Sequence, residues 1–164
     1  LKLLAEVGLV GLPNAGKSSL VAAASAARPK VADYPFTTLT PQLGVAQAPE
    51  GEPFTLADIP GLVAGAHQGA GLGLKFLKHV ERTRLFVYVV DLAGEDPVND
   101  LETVRAELVA ANKLDLAPAR ERLAEFLGRA RAEGLEVAQV SALTGQGVDG
   151  LVARLSALLG RGPR

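Results

Sequence analysis

The residues Gly11-Leu12-Pro13-Asn14-Ala15-Gly16-Lys17-Ser18 follow the pattern G-x-x-x-x-G-K-[ST], and the chemistry served by that spacing is the capture of a polyphosphate. Glycines let the backbone turn until several N–H groups converge on one anion, and a helix starting there adds the positive potential of its N-terminus. Lys17 is placed to reach β- and γ-phosphates, and the Ser18 hydroxyl to ligate Mg²⁺. The flanks agree. Leu3, Leu4, Val7, Leu9 and Val10 suit a buried parallel strand, and Ser19 to Ala24 are helix formers, which is the strand–loop–helix context the motif requires.

Two further sets carry chemistry. Asp58-Ile59-Pro60-Gly61 ends an apolar strand some forty residues on, where an aspartate can serve a Mg²⁺ ion and the Gly61 N–H can meet a γ-phosphate. Contacts to a phosphate that is later lost can order a loop and release it, so a switch is expected there. Asn112-Lys113-Leu114-Asp115 fits N-K-x-D, which alone could be a helix cap or a turn. In register with the other motifs it specifies guanine. The Asp115 carboxylate can accept from N1–H and the N2 amine together, whereas adenine lacks that amine and presents a lone pair at N1. The wrong base would leave a buried carboxylate unpaired. Asn112 is expected to meet the base's other edge and to brace the phosphate loop, and the Lys113 stem to cover the ring. Backbone amides of Ser141-Ala142-Leu143 are placed to touch guanine O6.

These residues must be positioned by alternating strands and helices. Lys30 to Pro41 has no helical periodicity and two prolines, so it reads as a loop before the strand Leu43-Gly44-Val45-Ala46. Long loops in compact domains are usually functional. Here Phe36, Thr37, Thr38, Leu39 and Thr40 are nucleotide-binding candidates, with Thr37 or Thr38 able to complete a Mg²⁺ shell; a solvated connector is the other reading. Phe54 to Asp58 and the continuously apolar Leu85 to Asp91 read as strands, the latter buried on both faces. Leu62 to Gly73 holds four glycines, and a helix from about Leu74 to Thr83 carries Lys75, Lys78, His79 and Arg82 on one face. That face reads as solvated, with RNA or protein contact as the alternative. His67 and His79 have no ligand set beside them.

Ala119 to about Ala132 is an amphipathic helix with Leu123, Phe126 and Leu127 inward, closed by Gly134. Leu135 to Val140 is the last strand. A final helix to about Leu159 has Val148, Leu151, Leu155 and Leu158 as its core stripe. The prediction is a doubly wound α/β domain with a six-stranded, mostly parallel sheet and helices on both faces, its motifs at the carboxyl ends of strands.

Composition bounds the rest. The 164 residues, 48% hydrophobic, suit one domain with one substantial core. A net charge of −1 gives no global case for nucleic acid or an acidic membrane. The absence of cysteine excludes disulfides and thiolate metal sites. No apolar segment is long enough for a membrane span or a signal peptide, so a cytoplasmic protein is the expectation. A chain that starts at Leu1 and holds no methionine is expected to be part of something longer. Residues are also expected to be missing near 108–109. With Leu101, Val104 and Leu108 read as a helical stripe, only Val109-Ala110-Ala111 remain for a return loop and strand before N-K-x-D, a shortfall of roughly ten residues.

The full set, with Tyr34-Pro35-Phe36-Thr37-Thr38 and the glycine-rich Gly65–Leu74 followed by Phe76-Leu77-Lys78-His79, resembles the G domain of the Obg family of GTPases over essentially the whole chain. The resemblance implies a small G-protein-like P-loop fold and Mg²⁺-dependent GTP hydrolysis, with Lys17, Thr38, Gly61 and Asn14 in catalysis and Ser18, Thr38 and Asp58 at the metal. It also implies binding of GDP and guanosine tetraphosphate, and a role with the large ribosomal subunit in its assembly and in the stringent response. A nucleotide-gated module with incidental hydrolysis, and an ATPase like a related branch, are the alternatives; Asp115 argues against the ATPase. Leu62 stands where a Ras-like enzyme has its water-orienting glutamine, and Asp33–Thr40 and Leu62–Gly73 hold no arginine. Related GTPases with G-x-P-N-x-G-K-S hold K⁺ through the asparagine, which implies that role for Asn14, bracing of the loop being the alternative.

Overall fold

The structure is a computed structural model that describes residues 5–12, 14–31, 42–58, 83–98 and 108–160. Its strands are β1 (Val7–Val10), β2 (Lys30–Val31), β3 (Gln42–Ala46), β4 (Phe54–Asp58), β5 (Leu85–Asp91), β6 (Leu108–Asn112) and β7 (Val137–Gln139). The described helices are α1 (Lys17–Ala24), α2 (Ala117–Ala132) and α3 (Val148–Gly160). One sheet orders the strands β2-β3-β4-β1-β5-β6-β7. β1 pairs in parallel with both β4 and β5, and β5, β6 and β7 continue in parallel, while β2 and β3 are antiparallel additions at one edge. From β1 the chain crosses to the edge strand β2, returns inward through β3 and β4, and then runs outward on the other side through β5, β6 and β7, so the carboxyl end of β1 is the topological switch point, where doubly wound sheets bind ligands.

Alternation along the inner strands divides the core between two faces. Val7 and Leu9 of β1 and Val87 and Val89 of β5 pack with Leu20 and Val21 of α1 and with Val148, Leu151 and Leu155 of α3. Tyr88 and Val90 of β5 and Val109 and Ala111 of β6 pack on the other face with Ala119, Phe126 and Ala130 of α2. Helices therefore cover both faces, and a strand sealed on both sides must be apolar at nearly every position. That is the composition of β5.

The elements depart from the expected outline at five points. The sheet has seven strands among the described residues, because Lys30 and Val31, read as loop, pair with Leu43 and Gln42 as a two-residue edge strand. Leu108 belongs to β6, not to a helical stripe. Its pairing with Val87 and complete burial give β6 a full five residues, so the spacing argument for missing residues loses its premise. α2 begins at Ala117, since Pro118 fits a first helical turn, where its missing N–H costs nothing. β7 is shorter than the apolar run Leu135–Val140. Thr83 precedes β5 outside any helix; the rest of the helix expected from Leu74, and the loop Ala32–Pro41, lie outside the described residues.

Candidate nucleotide-binding site

The loop between β1 and α1 is shaped by backbone angles that favour glycine. Gly16 has φ +98° and a Cβ there would lie 2.3 Å from Asn112 Nδ2, while a Cβ at Gly11 would lie 2.5 Å from the Val89 carbonyl oxygen. A side chain at either point would push the loop off the strands that support it. Asn14, exposed, adopts φ +66°. α1 starts at Lys17 without a side-chain cap, and the first-turn N–H groups of any helix lack intrahelical acceptors. Lys17 is buried and curls back so that Nζ donates to Gly11 O at 3.1 Å and Leu12 O at 3.2 Å. An ammonium has three donors, and these two bonds leave one for an anion.

Asp58 ends β4 beside β1, where it is paired through Leu9. Its Oδ1 is buried without a hydrogen-bond partner among the described residues. Burial pushes the carboxyl above the usual carboxylate range, and the Lys17 ammonium pulls it partly back. No group of three or more His, Asp or Glu side chains that could hold a metal occurs among the described residues.

Asn112 ties the loop between β1 and α1 to the loop that follows β7. It is 2% exposed, its Nδ2 donates to Ala15 O at 3.0 Å, and its Oδ1 accepts from Ala142 N–H at 3.0 Å. Both ends of the amide are thus used, and the brace expected from the sequence is present. Asp115 is partly exposed and accepts at Oδ1 from the Ser141 hydroxyl at 2.8 Å. Ser141 is itself fully buried and accepts from Thr144 N–H, so the carboxylate is oriented by a group that cannot swing away. Lys113 adopts φ +70°, and its Nζ donates to Asp91 Oδ2 at 2.8 Å.

The sequence motifs that lie far apart in the chain therefore converge: Gly11, Leu12, Asn14, Ala15, Gly16, Lys17 and Ser18 with Asp58, and through Asn112 with Lys113, Asp115, Ser141 and Ala142. Leu114 is the exception, since its side chain is buried against the α2 face of the core. Leu143 is 83% exposed. Pro13, Phe36, Thr37, Thr38, Leu39, Thr40, Ile59, Pro60 and Gly61 lie outside the described residues. Sequence reasoning missed the Ser141 hydroxyl and Asp91. A carboxylate closing an apolar parallel strand was the available signal for Asp91.

A glycine-rich loop at the switch point of such a sheet, bolted by a buried asparagine to the loop that follows β7, is the arrangement of a P-loop GTPase G domain. Comparison of the fold agrees: the G domain of the T. maritima FeoB iron transporter superposes with a TM-score of 0.70 over 93% of this chain and 97% of that one, at 24% identity. The family model described as 50S ribosome-binding GTPase matches residues 6–122. GTPase Obg of Desulforudis audaxviator is 55% identical over 97% of this chain and 41% of its own length. GTPase Obg of Desulforamulus reducens is 48% identical over 180 positions that take in all of this chain and 43% of the relative. The chain belongs to the 50S ribosome-binding GTPase family, and within it is similar to the Obg GTPases. It spans about two fifths of the length of these relatives. The 180 aligned positions exceed its 164 residues by about 16, so the relative carries residues that have no counterpart here.

Proposed function

We propose that this chain binds guanine nucleotides and hydrolyses GTP with Mg²⁺ as a conformational switch. The observation that carries the reading is the Asn112 side chain, which fixes the distance between a phosphate loop and a carboxylate suited to guanine. A ligand that satisfies both ends must have a polyphosphate at one and a base with two adjacent donors at the other. Calorimetric titration of nucleotide-free protein with GDP, guanosine tetraphosphate and ADP tests it. GDP and the tetraphosphate should bind and ADP should not, because ADP leaves the Asp115 carboxylate unpaired. Comparable affinity for ADP and GDP would overturn the guanine assignment.

In hydrolysis Lys17 follows the developing charge on the phosphates, while the first-turn amides of α1 hold them in line. Ser18, Thr38 and Asp58 would hold Mg²⁺, which neutralises phosphate charge when bound. The Asp58 Oδ1, which has no hydrogen-bond partner among the described residues, supports that assignment, because a buried carboxylate oxygen is costly until something positive meets it. Gly61 would offer its N–H to the γ-phosphate. With Leu62 in place of a water-orienting glutamine, intrinsic turnover is expected to be slow. Asn14 is proposed to help hold a K⁺ ion where other GTPases place an arginine.

The whole protein's work is proposed by likeness: assembly of the large ribosomal subunit and the stringent response, in the cytoplasm. The description of the matched family as ribosome-binding supports it. No described helix is long and apolar enough to cross a membrane. The chain is further proposed to lack a stretch present in its relatives, near the crossover that leads into β6. The surplus of aligned positions supports a missing stretch, and its place near β6 is what peptide mass mapping of the full-length protein across residues 98–108 would test.

A further inference from the structure

We infer that Asp91 is a positioning residue for base recognition, acting through Lys113. The inference rests on the guanine-nucleotide reading and adds a member to that site. In the register of the sheet Asp91, the last residue of β5, stands opposite Asn112, the last residue of β6. The next residue, Lys113, turns into the left-handed region at φ +70°, which sends its side chain out of the strand direction. The stem that follows has four rotatable carbons, and such a chain loses considerable rotamer freedom when a ligand immobilises it.

Asp91 removes that freedom beforehand. Its Oδ2 accepts from Lys113 Nζ at 2.8 Å, and its Oδ1 accepts from Ala93 N–H at 2.8 Å, so both oxygens are committed and the carboxylate cannot rotate. The turn that carries it is held from three sides. Gly94 N–H donates to Asp91 O at 3.1 Å, Leu92 N–H donates to Asn112 O at 3.2 Å, and the Arg122 guanidinium of α2 donates to the carbonyls of Leu92 and Gly94. The two charged side chains are 31% and 27% exposed, and an ion pair open to water to that extent adds little to folding. Its use lies in geometry: a stem already held in place presents its methylenes to the base without an ordering cost at binding.

The test is a double-mutant cycle on GDP affinity with Asp91→Ala, Lys113→Ala and the pair, each checked for folding by circular dichroism. Asp91→Ala should weaken GDP binding about 3- to 10-fold, the range expected when one long side chain must be ordered on binding. In the Lys113→Ala background the same change should cost less than about 2-fold, because nothing remains to position. An equal factor in both backgrounds would mean that Asp91 acts by general support of the fold, and an unchanged affinity in Asp91→Ala would remove it from the site; either result overturns the inference. If Asp91→Ala does not fold, Asp91→Asn runs the same cycle, since its amide oxygen still accepts from Ala93 N–H while the ion pair is lost. Equal GDP affinities for Asp91→Asn and wild type would then overturn it. Failure of the guanine reading itself is distinguishable, because wild-type protein would then show no preference for GDP over ADP.

Discussion

Replacing Asn112 by alanine should damage the protein even with no nucleotide present. The side chain is 2% exposed and bonds two backbone groups, Ala15 O and Ala142 N–H, each at 3.0 Å. An alanine leaves both without these partners. A buried polar group stripped of its bond costs about 1 to 3 kcal/mol; Ala15 O sits in the buried bond and Ala142 N–H in a partly buried one that water can reach. The two together give roughly 2 to 4 kcal/mol, against a total stability of about 5 to 15 kcal/mol for a domain. At about 2 to 4 °C per kcal/mol for a chain of this size, the midpoint should fall by roughly 5 to 15 °C. Urea unfolding followed by far-UV circular dichroism, in EDTA and without nucleotide, reads the effect directly. Asn112→Asp separates the two bonds: it keeps an acceptor for Ala142 N–H but turns a carboxylate oxygen toward the Ala15 carbonyl, so it should be at least as damaging. Gly16→Ala is an independent check, because its Cβ would lie 2.3 Å from Nδ2 at a backbone φ of +98°. A loss below about 0.5 kcal/mol for Asn112→Ala would refute the bracing role, since that is the scatter of ordinary surface substitutions.

Asp58→Asn should stabilise the nucleotide-free protein and abolish Mg²⁺-dependent tightening of GTP binding. Because burial raises the native carboxyl pKa above its unfolded value, wild-type stability should fall as pH rises from about 4 through the native pKa, where the native state holds a proton that the unfolded chain has lost; a flat profile matching that of Asp58→Asn would contradict the orphaned carboxylate. Asp115→Asn should lose GTP affinity by 10-fold or more, on the order expected for an unpaired buried polar group, and bind xanthine nucleotides, whose C2 carbonyl suits an amide donor; retained preference for GTP in a competition titration would cancel the base-reading role. Single-turnover GTP hydrolysis at matched ionic strength should be faster in KCl than in NaCl for wild type and insensitive to the cation in Asn14→Ala. Equal wild-type rates would dismiss K⁺, and a surviving cation effect in the variant would dismiss Asn14.

The sequence alone determined the glycine-rich loop after β1, the N-K-x-D tetrad after β6 and the two-faced burial of β5, because each is written in contiguous residues whose order is the geometry. A glycine four residues before Ala15 and another one after it restrict the backbone wherever the chain goes. A seven-residue strand without charge until its last residue, Asp91, has nowhere to lie but a sealed sheet position. What tertiary structure decided was every contact between distant segments. Leu108 continues a helical period in sequence, yet pairing with Val87 claims it for β6, since a strand edge left unpaired in the core costs more than a helical turn forgone. Lys30 and Val31 have no strand signal of their own and are extended because β3 offers them an edge. The hydroxyl of Ser141 became the hinge pin of Asp115, and Asp91 the partner of Lys113, through pairings 26 and 22 residues apart. No local propensity encodes such pairs; they follow from parallel strands ending side by side, which brings the last residue of each to the same rim of the sheet.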